Sequence, residues 1–388
     1  MKITIDQKYL HQTLREMVQI NSINPSLAPG APGEAEIAAY AAEALSKLNA
    51  AVQVHEPLPG RASVVGILRG SGGGKSLMLN AHLDTVGIEG MPEPFSAAIR
   101  NGKLYGRGAY DMKGSAAACL AAAKALRDAG VALRGDLLIA LVADEEYESV
   151  GTQEILKHCR PDAAIVTEPT QLNICLAHKG FIWLEVETLG RAAHGSRFEE
   201  GVDANMRMGR FLAQLDVLEQ LLRSGKAHPL VGPPSLHAAM LKGGSGWSTY
   251  AEKCTLSIER RTIPGESEET VLRQIRGMID QLSATDPTFK ASVRVTCARE
   301  AFEVEKDAEI VQTLKQASEA VTGRAPEFFG DTPWMDSALL SAAGVETVVM
   351  GPSGAGAHAR EEWVELRSVE IMAEILAQTA LKYCRVQG

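Results

Sequence analysis

The stretch LNAHLDTVG, residues 79–87, runs from apolar residues into a histidine and, one position later, an aspartate. Alternate residues of a strand share a face, so His82 and Asp84 would project together near its carboxyl end, where α/β proteins build their sites. A histidine near a strand end is, by itself, more often a solvated or hydrogen-bonded surface residue. Here a neighbouring carboxylate can orient the imidazole, as is common for metal-bound histidines. We therefore treat His82 as a candidate metal ligand.

Further residues suited to metal binding follow at the ends of other apolar runs. Asp111 precedes a strongly helical stretch, where helix capping or turn formation would be its ordinary role. Three consecutive acids at residues 144–146 follow the run LLIALV, and their repulsion is unfavourable unless water or a cation offsets it. Glu168 ends AAIVTEP, and His358 lies in the glycine-rich loop after ETVVM. Each of these has a surface-residue interpretation, but their shared placement at strand ends favours one common site.

The candidate ligands combine two imidazoles and three carboxylates without a thiolate, a set that suits zinc, cobalt or manganese. Five ligands exceed what one catalytic ion with an open position needs, but they suit two ions that share a carboxylate. Glu145 would then remain as a general base. The predicted ligands are His82, Asp111, Glu146, Glu168 and His358.

The elements that must position these residues change in pattern twice along the chain. Up to about residue 177, helical stretches alternate with continuous apolar runs, which are typical of strands covered on both faces. Between about 180 and 300 the order becomes β-α-β-β-α-β, the ferredoxin-like split motif, and the α/β rhythm then returns. The sequence predicts an α/β protein. A mixed-sheet catalytic domain, residues 1–178 and 303–388, would contain an inserted ferredoxin-like domain, residues 179–302.

Composition excludes several classes of function. The 388 residues are 45% hydrophobic, and no apolar run approaches the roughly 20 residues that a membrane span needs. The N-terminal stretch does not have the pattern of a secretory signal, and six cysteines without CxxC pairs indicate free thiols in a reducing compartment. A net charge of −9 without a basic cluster argues against nucleic acid as a partner. We expect a cytoplasmic protein that binds neither nucleic acid nor membrane.

Seven short motifs occur in one order along nearly the whole chain: AHLD, GRGAYDMKG, DEE, TEP, GRAAHGS, RRTIPGE and GAGAHAREEW. Together they resemble the di-zinc aminoacylase and carboxypeptidase family, which includes acetylornithine deacetylase, succinyl-diaminopimelate desuccinylase, carboxypeptidase G and related dipeptidases. The resemblance implies two divalent ions per chain, zinc first, with cobalt or manganese as alternatives. One ion would be held by His82, Glu168 and a bridging Asp111. The other would be held by Glu146, His358 and the same Asp111.

The same resemblance implies roles for two further carboxylates. Asp84 would orient His82. Glu145 would be the general base, which takes a proton from the metal-bridging water and passes it to the leaving amine. An adjacent carboxylate is chemically competent for that transfer.

The insert resembles the family's lid and dimerisation domain, which implies a homodimer. His194 in GRAAHGS corresponds to a histidine that the family's dimers supply to the partner subunit's active site, where it would stabilise the oxyanion. Arg261 matches a position that binds the substrate carboxylate, although a strand-surface arginine is an equal alternative. Ser248 stands where many relatives have a substrate-contacting asparagine. Gly354 and Gly356 would present backbone amides to the substrate carboxylate.

The activity implied by the resemblance is metal-dependent hydrolysis of the amide bond of an N-acyl amino acid, with acetylornithine deacetylation the closest named reaction. A dipeptidase or carboxypeptidase would use the same chemistry on another acyl group, so the partner would be a small N-acyl amino acid or a dipeptide. A catalytically silent relative that binds a metal or an amino acid is the other alternative. The presence of Glu145 with all five predicted ligands argues against silence.

Overall fold

The computed structural model describes residues 3–386. Residues 1, 2, 387 and 388, which the sequence analysis assigned to the catalytic domain, lie outside the described residues. Within the described part of the chain, no helix combines the length and the apolar character needed to cross a membrane. The six cysteines are all free, as expected from their spacing.

The chain divides into two compact units. The first comprises the described residues up to Leu176, Val304–Phe329 and the described residues from Met335 onwards. The second comprises Ala177–Glu303 and Gly330–Trp334. The second unit therefore begins two residues before the insert expected at 179–302 and ends one residue after it. A later segment of five residues joins the second unit, which the sequence analysis did not anticipate.

The helices and strands follow one another closely along the chain. In chain order they are α1 (Gln7–Gln19), α2 (Ala35–Lys47), β1 (Ala51–His55), β2 (Ser63–Leu68), β3 (Leu77–His82), β4 (Ala98–Arg100), β5 (Lys103–Tyr105), a π-helical turn (Ala109–Lys113), α3 (Gly114–Asp128), β6 (Leu137–Val142), α4 (Val150–Ile155), β7 (Ala163–Val166), β8 (Ile174–His178), β9 (Gly180–Leu189), α5 (Ala204–Ser224), β10 (Ser235–Gly243), β11 (Lys253–Thr262), α6 (Glu268–Thr285), β12 (Lys290–Arg299), β13 (Phe302–Glu303), α7 (Glu309–Thr322), β14 (Phe328–Asp331), α8 (Ser337–Ala342), β15 (Glu346–Val349), β16 (Gly354–Ala355), β17 (Trp363–Glu365) and α9 (Leu366–Tyr383).

The main sheet of the first unit has the strand order β1-β2-β6-β3-β7-β15-β8. Strand β3 runs parallel to both β6 and β7, and β15 runs parallel to β7. Strands β1 and β2 pair antiparallel with each other, β2 pairs antiparallel with β6, and β8 pairs antiparallel with β15. The sheet is therefore mixed, which confirms the predicted fold class. The carboxyl ends of β3, β6 and β7 meet at one edge, where site residues are expected.

The apolar runs of the sequence explain why the centre of this sheet is buried. Strands β3 (LMLNAH) and β6 (LLIALV) are buried along their whole length. Helix α3 (GSAAACLAAAKALRD) covers both of them and packs against α1 and α9. Its alanines are buried and small, so neighbouring backbones can approach closely. Each fully buried leucine side chain in these strands contributes about 1.5–3 kcal/mol through removal of apolar surface from water.

A small antiparallel sheet with the order β16-β17-β5-β4 lies in the same unit. Trp363 pairs with Tyr105 and Val364 with Leu104, so the chain after β15 returns to the segment that precedes the π-helical turn. Strand β17 also contacts that turn. This pairing places the loop between β16 and β17, which carries His358, near the turn that carries Asp111.

The second unit contains an antiparallel sheet with the order β10-β11-β9-β12. Buried and less buried residues alternate along β9 and β11, which is typical of a sheet with one covered face. Helices α5 and α6 pack on it, and Phe211, Leu256 and Ile275 lie in the core between them. The element order β9-α5-β10-β11-α6-β12 is the order that the sequence predicts for the insert.

Candidate metal centre

His82 is the last residue of β3, and its side chain is 1% exposed. Its Nε2 atom lies 3.1 Å from Oδ1 of Asp111 and 3.7 Å from Oε1 of Glu168. Asp111 comes from the π-helical turn before α3, whereas Glu168 follows the neighbouring parallel strand β7. The structure therefore brings together the first trio of predicted ligands.

The second trio forms around His358. Its Nε2 atom lies 3.3 Å from Oδ2 of Asp111 and 2.9 Å from Oε2 of Glu146. Glu146 follows β6, the strand on the other side of β3. The two carboxylate oxygens of Asp111 thus face two different imidazoles, which is the geometry expected of a carboxylate shared by two ions.

The separations between these atoms fit divalent cations. The donor atoms of each trio lie within 4.8 Å of one another. Two donors at about 2.1 Å from one tetrahedral zinc ion are themselves roughly 3.4 Å apart. The donor pairs around His82 and His358, at 2.9–3.7 Å, lie close to that separation.

The electrostatics of the cluster lead to the same conclusion. Burial and the charge of Asp111 raise the pKa of Glu146 to about 7, and burial and nearby acids raise the pKa of Glu168 well above its usual value. Hydrogen bonds to Asp111 and Glu146 raise the pKa of His358 to about 10. So many carboxylates in a dehydrated site need a compensating positive charge, which two divalent ions would supply. The residues present fit such ions in both charge and donor chemistry.

Glu145 lies beside the cluster without belonging to either trio. Loss of hydration and the neighbouring charge of Glu168 raise its pKa well above the usual value. Its backbone amide donates to Oδ1 of Asp84 at 3.0 Å, which fixes the start of the turn that follows β6. Glu145 is therefore a carboxylate held next to the candidate metal ligands and available for proton transfer.

Asp84 acts through different atoms from those that the sequence suggested. The atom closest to Nδ1 of His82 is the backbone carbonyl oxygen of Asp84, at 3.0 Å, whereas its carboxylate lies at 3.6 Å. The carboxylate instead accepts hydrogen bonds from the backbone amides of Glu145 and Glu146 and from Nδ2 of Asn24. The carbonyl thus orients the imidazole. The carboxylate holds the turn formed by the three acids 144–146, which we call the acidic turn. An extended strand end exposes both groups of one residue to different neighbours.

A buried network of ion pairs holds Asp144, the first residue of the acidic turn. Arg61 makes two hydrogen bonds of 2.7 Å to the carboxylate of Glu34 and a third of 2.7 Å to Oδ1 of Asp144. Asn24 donates to the same oxygen of Asp144 at 3.0 Å. Asp144 has a φ of 71°, a strained backbone conformation that these contacts offset. Neither Arg61 nor Glu34 could be identified from the sequence, because both lie in segments without a chemical motif.

A second buried carboxylate, Glu362, holds the π-helical turn. One of its oxygens accepts from the backbone amides of Tyr110 and Asp111 at 2.9 and 3.0 Å. The other accepts from the backbone amide of Gly108 at 3.0 Å and from Arg107 at 2.7 Å. Glu362 lies within the motif GAGAHAREEW. The motif could have drawn attention to this residue, but its hydrogen bonds to the π-helical turn could not be predicted from the sequence.

The glycines predicted to contact substrate lie in the loop before His358. The carbonyl of Gly354 accepts a hydrogen bond from Nε2 of Gln171 at 2.9 Å. Gly356 has a φ of 87°, and a Cβ atom there would lie 1.9 Å from the carbonyl oxygen of Glu361. Only glycine fits this turn, whatever its further role.

The remaining three predicted residues belong to the second unit. His194 is exposed, and its Nδ1 atom lies 2.8 Å from Oγ of Ser196. The carbonyl of Ser248 accepts from the amide of Gly195 at 2.8 Å, so Ser248 and His194 lie in adjacent loops. Arg261 forms an ion pair of 2.9 Å with Glu259 and lies over the ring of Phe181.

Comparison with known proteins places this geometry in a family context. The family model described as peptidase family M20/M25/M40 matches residues 78–382. The chain is 30% identical to acetylornithine deacetylase of Myxococcus xanthus, with 97% of each chain covered. It is 28% identical to N-formyl-4-amino-5-aminomethyl-2-methylpyrimidine deformylase of Bacillus subtilis, again with 97% of each covered. It superposes with a TM-score of 0.74 on the YXEP protein of Bacillus subtilis, described as a dinuclear metal-binding peptidase, at 14% identity, covering 97% of this chain and 98% of that one.

Proposed function

The chain belongs to peptidase family M20/M25/M40 and is a metal-dependent hydrolase of amide bonds, and from this premise we propose that it removes a small acyl group from an N-acyl amino acid. The reaction would be of the acetylornithine deacetylase type. The observation that carries this proposal is the pair of donor trios that share Asp111, with Glu145 beside them and outside both.

Each trio of donors would hold one ion. His82, Glu168 and Asp111 would bind one, and His358, Glu146 and Asp111 would bind the other. When bound, two divalent ions would lower the pKa of water and polarise the acyl carbonyl. This set of nitrogen and oxygen donors admits zinc, cobalt and manganese, and zinc is the ion proposed first.

Glu145 supplies the proton transfer in this proposal. Its carboxylate accepts a proton from the attacking water and delivers it to the nitrogen of the leaving amine, so that the amine departs neutral. A raised pKa favours this double role, because the carboxylate must hold the proton between the two transfers. Asp84 holds the backbone of Glu145 and so fixes where the carboxylate can reach.

The second unit is proposed as the lid and dimerisation domain. Strand β10 is an edge strand of its sheet and exposes Met240 and Leu241, and Trp247 in the following loop is fully exposed. An edge with apolar side chains of this kind favours pairing with a second copy of the chain. In the homodimer, His194 would stabilise the oxyanion in the partner subunit's site.

Arg261 is proposed to recognise the substrate carboxylate. Arg261 offers a guanidinium, the donor group that matches a carboxylate with two parallel hydrogen bonds. Its ion pair with Glu259 would then have to be exchanged for the substrate. Ser248, Gly354 and Gly356 are proposed as further contacts.

The names of two relatives indicate which acyl groups should be tested first. The two sequence relatives named above carry names of enzymes that remove an acetyl and a formyl group, whereas the solved structures with peptidase titles, such as the YXEP protein, are less than 20% identical to this chain. A deacylase of small acyl groups is therefore the leading assignment. A dipeptidase or carboxypeptidase is the alternative within the same chemistry, and a silent metal-binding relative is the alternative without it.

Hydrolysis of a substrate panel tests the proposal. Metal-stripped protein is assayed with N-acetyl, N-formyl and N-succinyl amino acids and with dipeptides, after zinc, cobalt or manganese is restored separately. We expect metal-dependent release of a free amine, with a short N-acyl amino acid as the fastest substrate. Faster hydrolysis of dipeptides would support the peptidase alternative. Two bound ions per chain without hydrolysis of any compound would support the silent alternative.

Complementation between two inactive variants tests the role of His194. The variant His194→Ala retains Glu145, and the variant Glu145→Gln retains His194. If the histidine acts across the dimer, random mixing of subunits gives hybrid dimers with one complete site, and activity recovers to about a quarter of the wild-type value. No recovery, with hybrid dimers present by mass spectrometry, would show that His194 does not act in the partner's site.

A further inference from the structure

Two histidines and a glutamate of the first unit converge at a place that the proposed function does not use. His55 is the last residue of β1, Glu154 lies in α4, and His158 follows shortly after that helix ends. Helix α4 packs against β1 and β2, which brings the three side chains together. None of them belongs to the metal centre described above.

The donor atoms of this peripheral cluster are close to one another. Nε2 of His158 lies 3.0 Å from Oε1 of Glu154. The rings of His55 and His158 stack with centroids 4.5 Å apart and planes inclined by 23°. One donor atom from each of the three residues lies within 4.8 Å of the others, the same limit that defines the two central trios.

One atom of the cluster has no hydrogen-bond partner. Nε2 of His55 is buried, and within the part of the chain that the structure describes it makes no hydrogen bond. An unpaired polar atom in such a place is costly, and native structures usually provide a partner for it. The ring stack of His55 with His158 does not provide one, because stacked rings face each other through their π systems rather than through their nitrogen atoms.

From this geometry we propose that His55, Glu154 and His158 form a peripheral binding site for a divalent transition metal of the zinc type. Two imidazoles and one carboxylate are a common protein donor set for zinc, and two nitrogen donors disfavour magnesium and calcium. Because imidazole lone pairs lie in the ring planes, the stacked rings of His55 and His158 would turn to bind one ion, and an ion bound through Nε2 of His55 would give that atom the partner that it lacks. His158 is exposed, so the remaining coordination positions would be open to water.

The protonation of the cluster is compatible with metal binding. Burial and the neighbouring His158 lower the pKa of His55, a shift toward the neutral imidazole that binds metals. Lys157 bonds Oε2 of Glu154 at 2.6 Å and leaves Oε1 facing His158. The carboxylate can therefore donate one oxygen to an ion while it keeps its ion pair with the lysine.

An ion at this place would connect the edge of the main sheet to the chain after α4. Strand β1 is the edge strand of the sheet and pairs only with β2 in the strand order. The ion would bind the folded chain and not the separated donors of the unfolded chain, so the free energy of unfolding would rise with the logarithm of its free concentration above the dissociation constant. The alternative is an ordinary ion pair of Glu154 with His158, four residues further along the chain, which needs no metal ion.

Zinc binding by four proteins tests the proposal. Wild-type chain and the variants His158→Ala, Glu154→Gln and His11→Ala are dialysed against zinc at equal free concentration, and bound metal is counted by elemental analysis. His11 is the matched control, because its Nε2 also lies 3.0 Å from a carboxylate, that of Glu370, and its pair lies outside the three donor groups found among the described residues. We expect His158→Ala and Glu154→Gln to bind one ion fewer per chain than wild type, and His11→Ala to bind as many.

Equal zinc counts for wild type and His158→Ala would overturn the proposal. Because the measurement compares variants, it does not depend on how many ions the central site holds. Imidazole ¹⁵N NMR of the full chain gives a second readout that needs no variant of His55. Zinc should shift the resonances of His55 and His158 together and leave those of His11 unchanged. Unshifted resonances at saturating zinc would also overturn the proposal.

Discussion

The central and peripheral clusters contain the same kinds of donor at similar distances, yet they differ in what surrounds them. Nε2 of His82 lies 3.1 Å from a carboxylate oxygen, and Nε2 of His158 lies 3.0 Å from one. His82 is buried, and the loops around it are held by Arg61 and Glu362 through buried hydrogen bonds. His158 is exposed, and its carboxylate partner is shared with a surface lysine.

The difference shows which property makes a metal centre suited to catalysis. Both clusters have the donor types and the spacing that binding of an ion requires. Catalysis also requires that the ligands keep a fixed orientation and that bulk water is excluded, and both depend on supporting hydrogen bonds around the ligands. Of the two clusters, the central one has such hydrogen bonds. We therefore expect substitutions in the central cluster and its supports to affect activity strongly, and substitutions in the peripheral cluster to leave it unchanged.

Replacement of the shared ligand should have the largest effect. Asp111→Asn keeps the shape of the side chain but removes the charge that both trios use, so we expect both ions to be weakened and hydrolysis to fall below detection. Glu168→Gln is the matched comparison, because Glu168 belongs to one trio only, and it should retain the ion held by His358. Elemental analysis after dialysis measures the difference. Equal metal contents in the two variants would show that Asp111 is not shared.

Loss of the general base should have the next largest effect. Glu145→Gln leaves both trios complete, so we expect wild-type metal content with turnover reduced by about 10²–10⁴-fold. The neighbouring variant Glu146→Gln should instead lose metal, because Glu146 belongs to a trio. Turnover and metal content are measured on the same preparations. Near-normal turnover of Glu145→Gln would remove it as the base.

A supporting residue should give an intermediate effect. Glu362→Gln turns one acceptor oxygen into a donor that faces an amide or a guanidinium, so the segment that carries Asp111 loses the two hydrogen bonds that this oxygen accepted. We expect metal affinity or turnover to fall by about 10–100-fold, as is typical when the partner of a metal ligand is changed. The adjacent and exposed Glu361 is the control, and Glu361→Gln should behave as wild type. Equal metal affinities in the two variants would contradict the supporting role.

The candidate ligands could be predicted from the sequence because each follows a recognisable element. His82, Glu146 and Glu168 follow three apolar runs that become adjacent parallel strands, so their convergence follows from the sheet order. Asp111 and His358 lie in glycine-rich loops within longer motifs. Strand order thus predicts the convergence of the first three side chains, and the motifs predict the other two.

The supporting contacts could not be predicted, because they depend on tertiary packing. Arg61 meets Asp144 across 83 positions, and Arg107 meets Glu362 across 255 positions. No periodic pattern or motif links such pairs in a single sequence. The same limit applies to the atoms through which Asp84 acts. The sequence identifies the residue, but only the fold decides that its carbonyl faces His82 and its carboxylate faces the acidic turn.

A substitution in the peripheral cluster should have the smallest effect on activity. His158→Ala removes an exposed imidazole that touches no residue of the central trios or their buried supports. We expect kcat/KM to stay within about twofold of wild type, because exposed ion pairs contribute little to stability or to the geometry of distant groups. In the presence of a chelator, its urea midpoint should also equal that of wild type. A loss of activity comparable to that of Glu362→Gln would mean that α4 transmits the state of the peripheral cluster to the acidic turn, which immediately precedes this helix in the chain.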